Sequence, residues 1–201
     1  MTVPRARAYL RGMKKGPLAF AAVVVIGFLS RLLDHPDNFT PVIAMALVAG
    51  AFASRRYVAI LLPLLAMLLS DVVLYATVYA PYAEGFLGLG SIAGNGFSYV
   101  ALALLAVVPA LLPVGLRTRW ASLLGMGLVG SLLFYVVSNF GVWVLGATYP
   151  MTPAGLVACL AAGLPFLPAT SFSTLLYGAI ATAALKGFGV SPAQSPSPAA
   201  A

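Results

Sequence analysis

Residues 57–79 read YVAILLPLLAMLLSDVVLYATVY and follow directly on the pair Arg55-Arg56. These 23 residues hold one charged side chain, Asp71, and exceed the roughly 20 apolar residues a helix needs to cross a hydrocarbon core. The stretch reads as a membrane helix that starts on the inner side, where the arginines are.

The rest of the chain repeats that pattern. Of 201 residues, 62% are hydrophobic and 7% charged, against roughly 25% charged in an average soluble domain. The net charge of +7 comes from short basic clusters between apolar runs, which fits a membrane and argues against nucleic acid as a partner. A single cysteine and a single histidine exclude an internal disulfide, a multi-cysteine metal site and paired-histidine zinc motifs.

Outward from residues 57–79, further spans read at 17–33, 41–53, 96–116, 121–147 and 169–186, with a shorter apolar stretch, Ala154 to Leu164, set between Pro153, Pro165 and Pro168. The first follows Arg5, Arg7, Arg11, Lys14 and Lys15 and lacks an Ala-x-Ala exit, so it reads as a retained helix rather than a cleaved signal peptide. The second is about 20 Å long at 1.5 Å per residue and is expected to be short, or extended by buried non-helical chain. The fold class is therefore all-α: a polytopic membrane protein of six transmembrane helices, with a short extra helix on the outer side before the last span. Its organisation is a basic cytoplasmic N-terminus (1–16), a membrane domain (17–186) and a disordered cytoplasmic tail (187–201) rich in Pro, Ser and Ala.

Charge placement orients it. With both termini inside, residues 5–15, Arg55, Arg56, Arg117, Arg119 and Lys186 supply ten of the eleven bases on the inner side, leaving Arg31 outside. The four acids, Asp34, Asp37, Asp71 and Glu84, fall at or toward the outer face. Inner connections are minimal, whereas the outer loops 34–40, 80–95 and 148–168 are long, so function is expected to face outward.

Asp71 is the most informative residue, because an ionisable group at membrane depth needs a partner or water. Arg31 and His35 are its natural partners. Two readings stay open: a structural ion pair between the first and third helices, or a ligand or proton site. Arg31 can also snorkel to the interface, and His35, within Asp34-His35-Pro36-Asp37-Asn38, is a solvated loop residue or a ligand. Ser138-Asn139, with Trp143 one turn further out, reads as interhelical glue or cavity lining. Ser173 and Tyr177 share a helix face at four-residue spacing, in a stretch where Ser171 and Thr174 add hydroxyls that line a pocket or bond their own backbone. Taken together, Arg31, His35, Asn38, Asp71, Asn139, Trp143, Ser173 and Tyr177 are the candidate solute site. Cys159 reads as a small buried hydrophobe or a reactive thiol, and the outer tyrosines as an aromatic belt. Ala49-x-x-x-Ala53 and Gly127-x-x-x-Ser131 allow close helix packing, within the bundle or against another membrane protein.

Asn38-Phe39-Thr40-Pro41-Val42, Ala49-Gly50-Ala51, Leu69-Ser70-Asp71, Ser138-Asn139-Phe140 with Trp143, Tyr149-Pro150 with Thr152 and Gly155-Leu156, Cys159, and Pro165-Phe166 resemble an uncharacterised family of small bacterial integral membrane proteins. Size, six spans and outer loops are also similar to the S component of energy-coupling factor vitamin transporters. That resemblance implies a vitamin-like solute bound from outside beneath loops 34–40, 80–95 and 148–168. Cobalamin-transporting relatives use a loop histidine and a third-helix aspartate, for which His35 and Asp71 stand in comparable places. They also use a cysteine near the third loop, here 80–95, which has none, Cys159 falling in the fifth, 148–168; and the Ala-x-x-x-Ala docking motif expected on the first helix is replaced by Ala19-Phe20-Ala21-Ala22-Val23.

The expectation is an outward-facing solute binder for uptake, in contact with the bilayer, its solute and an energising module or other membrane subunit. The alternative is a scaffold subunit of a larger complex. No enzyme activity, cofactor or resident metal is expected, since the spans lack paired catalytic acids and a Ser/His pair. No Gly-x-x-x-x-Gly-Lys loop is present, so any use of ATP would belong to a partner.

Overall fold

The computed structural model describes residues 19–20, 22–23, 25–146 and 148–192, the side chain of Leu87 apart. Among them there is no strand. The helices are α1 (helical residues up to 31), α2 (Val42–Phe52), α3 (Arg56–Ala76), α4 (Leu89–Gly94), α5 (Gly96–Val107), α6 (Trp120–Leu145), α7 (Pro153–Gly163) and α8 (Leu167–Gly187). The basic segment 1–16 and the end of the tail, 193–201, lie outside the described residues.

α2 is the axis of the bundle. Its sequence, VIAMALVAGAF, has no polar side chain, and all 11 residues are buried, as a helix that is apolar all round requires. It packs against α3, α5, α6 and α8. Val42, Ile43, Ala46 and Leu47 form one cluster with Met67, Leu102, Leu105 and Met126, and Val48, Ala51 and Phe52 form another with Ala19 and Leu185. Gly50 lets α2 and α5 meet backbone to backbone: a Cβ there would lie 2.2 Å from the carbonyl oxygen of Ala106.

The long helices are apolar on the outside. α3 exposes Leu61, Leu65, Leu69 and Val73, one per turn, and buries Ala59, Ala66, Ser70 and Asp71. α6 exposes Leu124, Leu128, Leu132 and Val136 and buries Gly127, Gly130, Ser131 and Gly141. On α8, Phe172, Leu176 and Ile180 point out while Ser173, Thr174 and Thr182 point in. Bulky hydrocarbon outward with small and hydroxylated residues inward reverses a water-soluble bundle and matches the packing of helices in lipid. Three helical stretches are long and apolar enough to cross a membrane: Arg56–Ala76, Trp120–Leu145 and Pro153–Gly187.

Several boundaries differ from the sequence expectation. α2 is about 16 Å long at 1.5 Å per residue and falls short of a full crossing, as does the apolar stretch Gly96–Leu111, which runs from α5 into a 3-10 turn around Pro109. The short helix and last span are not separated by a loop. They join through one 3-10 turn, Leu164–Phe166, because Pro165 and Pro168 fall in first turns, where no N–H is required of them. The loop 80–95 holds two 3-10 turns and α4, whose six residues are too few to show a period.

Both small-residue motifs pack within the bundle. Ala49 is 2% exposed, and Ala53 lies just past the end of α2, its N–H capping Ala49 O. Gly127 faces α8, where a Cβ would lie 2.6 Å from the Leu175 side chain, and the buried Ser131 hydroxyl donates to Gly127 O at 2.8 Å.

Candidate functional site

A cavity of about 410 Å³ opens where the loop ahead of α2 and the loop after α6 meet α1, the start of α2, α3 and α5 to α8. Arg31 of α1 and Met67 of α3 line it on one side. Asn95 and Ser98, at the start of α5, form a second wall, and Tyr135, Ser138 and Asn139 of α6 a third. Phe166 and Thr170, at the junction of α7 and α8, close the far side, and Asn38, Thr40 and Tyr149 reach it from the two loops.

Arg31 is held in place from α3. One of its terminal nitrogens pairs with Asp71 Oδ1 at 2.7 Å, and the other donates to Met67 O at 3.1 Å and to Ser70 Oγ. Asp71 Oδ2 accepts from the Tyr99 hydroxyl at 2.6 Å, so both carboxylate oxygens have donors, as a buried carboxylate requires. The Asp71 side chain is 5% exposed and that of Arg31 14%. Asp71 does not line the cavity, but it fixes and partly neutralises the guanidinium that does. Arg31 Nε is buried without a partner.

Asn139 has two tasks. Its Nδ2 donates to Tyr135 O at 2.8 Å, and its amide lies so close to α7 that a Cβ on Gly163 would come within 2.5 Å of Oδ1. Tyr135 donates to Leu160 O, tying α7 to α6. Cys159, 1% exposed, backs the wall and donates to Asn139 O at 3.3 Å. The loop after α6 is drawn onto the helix by Trp143 Nε1, which donates to Pro150 O at 2.9 Å. α7 then starts from Thr152, whose Oγ1 accepts from Gly155 N–H, an N-cap with Pro153 in the first turn. Asn38 turns its loop in the left-handed region at φ 59°, which asparagine tolerates better than most residues.

Of the sequence candidates, the cavity thus brings together Arg31, Asn38 and Asn139, with Asp71 directly behind. His35 is not in its wall; Nδ1 donates to the neighbouring Pro36 O at 2.9 Å. Trp143, Ser173 and Tyr177 also lie outside it. The Ser173 hydroxyl donates to Thr170 O at 3.0 Å, and the Tyr177 ring meets Phe39 edge-on with centroids 5.9 Å apart. Thr170 carries the contribution of α8 instead. The sequence reading missed Tyr99, Asn95, Ser98, Tyr135 and Thr170; for Asn95 and Ser98 the signal was an Asn-x-x-Ser at a helix start, a common cap that gives no hint of a cavity. Among the described residues, no three of His, Cys, Asp and Glu converge as metal ligands.

A model of a family of unknown function, DUF6580, matches residues 12–194. No curated protein and no solved structure matches the chain.

Proposed function

The chain belongs to that family of unknown function, and we propose that it is a multi-pass protein of the bacterial inner membrane that binds a small, vitamin-like solute from the outer side for uptake. The observation that carries this reading is the cavity of about 410 Å³, a volume within the range of small-molecule sites, set at one end of a bundle with apolar outer faces. N-in, C-in topology follows from the bases and places the cavity outside.

The wall chemistry narrows the solute. Among the described residues, Arg31 is the only charged side chain lining the cavity, and amides and hydroxyls supply most of the remaining polar groups. A neutral or anionic molecule rich in hydrogen-bond acceptors fits, and a cation does not. The scaffold reading loses its main argument, because Ala49, Gly127 and Ser131 are used in internal packing. An energising partner remains part of the proposal, as the chain has no nucleotide-binding loop.

Native mass spectrometry of gently purified protein tests this by identifying a co-purified small molecule. Ser138→Ala and Thr170→Val should then weaken its binding at least tenfold, about 1.4 kcal/mol, with little change in the melting of the empty protein. Gly125→Ala, outside the wall with nothing within 4 Å of its added Cβ, should not. Unchanged affinity in both wall variants overturns the reading.

A further inference from the structure

A second, smaller cavity of about 160 Å³ lies between α2, α6 and α8 near the opposite end of the bundle. Its walls include Ala44 and Leu47 of α2, Leu123 and Gly127 of α6, and Leu175 and Gly178 of α8. Small residues among the larger ones leave it open on the α2–α8 side: a Cβ added to Gly178 would meet only the Ala44 methyl, at 3.9 Å. Thr174 turns its methyl toward Gly127, and apart from its buried, unpartnered hydroxyl the walls are nearly all hydrocarbon. An unfilled apolar void is destabilising, whereas a lipid chain fits it.

The mouth of the slot has a different chemistry. Trp120, 56% exposed, lines it at the first residue of α6. Lys186 Nζ stands 5.5 Å from the centre of that indole ring and donates to Thr118 O at 2.7 Å, which leaves ammonium protons for another acceptor. Arg119, next in the chain, is exposed. No acidic side chain belongs to this end: the four acids are residues 34, 37, 71 and 84. Asp34 and Asp37 precede the start of α2, whose other end clusters with Leu185. Asp71 stands about 22 Å along α3 from Arg56, and Glu84 lies beyond it.

An apolar slot roofed by an indole and flanked by two cations, at an end without carboxylates, has the polarity of an anionic phospholipid. We propose that the slot takes one acyl chain of such a lipid, with its phosphate between Lys186 and Arg119 and its glycerol backbone against Trp120. The inference rests on the membrane-spanning reading and is independent of any solute.

The test is a titration of the full chain in mild detergent with phosphatidylglycerol or phosphatidylcholine of identical acyl chains, read by native mass spectrometry. The first phosphatidylglycerol should bind at least tenfold more tightly than phosphatidylcholine. Lys186→Gln combined with Arg119→Gln should abolish that preference while leaving phosphatidylcholine binding unchanged. Gly178→Leu, which fills the slot, should weaken both lipids at least fivefold. Ala179→Leu, also on the wall, is a second filling variant should the first fold poorly. Equal affinity for the two lipids, or undiminished phosphatidylglycerol binding in the folded filling variants, overturns the proposal.

Discussion

At the scale of single residues, the ion pair between Arg31 and Asp71 decides most. With side chains 14% and 5% exposed, it belongs to the class in which removing one partner costs about 3–5 kcal/mol, because the other charge is stranded. Asp71→Ala should lower unfolding stability in detergent by that order, and adding Arg31→Ala should recover much of the loss. The cycle, read by thermal or chemical unfolding, would count against the pair if the two losses simply add. Tyr99→Phe should cost less than Asp71→Ala, about 1.5–3 kcal/mol for a hydrogen bond to a charged group. The pair was legible in the sequence because a charge inside an apolar run must be met by something. Tyr99 was not, since a tyrosine near the end of a span reads equally well as an interfacial residue. Ser173 and Tyr177 show a different gap. Four-residue spacing puts two side chains on one face of a helix, but on α8 apolar and hydroxylated residues are spread around the axis. Nothing in that pattern says which face meets the cavity.

At the scale of elements, glycines set the distances between helices, and two of them make opposite predictions. Gly50 has the Ala106 carbonyl 2.2 Å from where a Cβ would sit, and a backbone atom yields less readily than a side chain. Gly50→Ala should therefore force α2 and α5 apart at a cost of about 1–3 kcal/mol. Gly125, inside α6, has nothing within 4 Å, so Gly125→Ala should be neutral or stabilising by up to about 1 kcal/mol through helix propensity. Parallel unfolding curves of the two variants check this, and equal effects would mean that the α2–α5 contact is looser than described. The long helices were legible from hydropathy, and α7 from its short apolar run behind Pro153. The direct passage of α7 into α8 was not, because prolines that look like breaks in a sequence are tolerated in a first turn.

At the scale of the molecule, the arrangement of charge predicts sidedness. Cysteines placed at Arg56 and Arg119, both exposed, should be protected from an impermeant thiol reagent in intact cells, and one at Tyr82, 80% exposed, should react. Cys159 is 1% exposed and should stay silent as background. Labelling at Arg119 without labelling at Tyr82 would invert the topology. Which end of the bundle faces outward is an expectation drawn from the bases, and this labelling tests it. The cavity was not legible in the sequence, because its walls come from two loops and from α1, α2, α3, α5, α6, α7 and α8, and no local pattern records how distant segments converge.

On the membrane-spanning reading proposed above, the burial of α2 has a consequence for how the protein is made. Its 11 residues, about 16 Å of helix, are too short to rest alone across a bilayer core of roughly 30 Å. Their native neighbours include α8, which ends at Gly187. At a synthesis rate of about 5–20 residues per second, α2 leaves the ribosome roughly 7–27 seconds before that last wall exists. During that interval the segment must be sheltered by the insertion machinery, by a chaperone or by a provisional pairing with α1 and α3. Assembly of this bundle therefore closes around a part synthesised early and housed late, and a chain interrupted before α8 would expose its own centre to the quality-control proteases of the membrane.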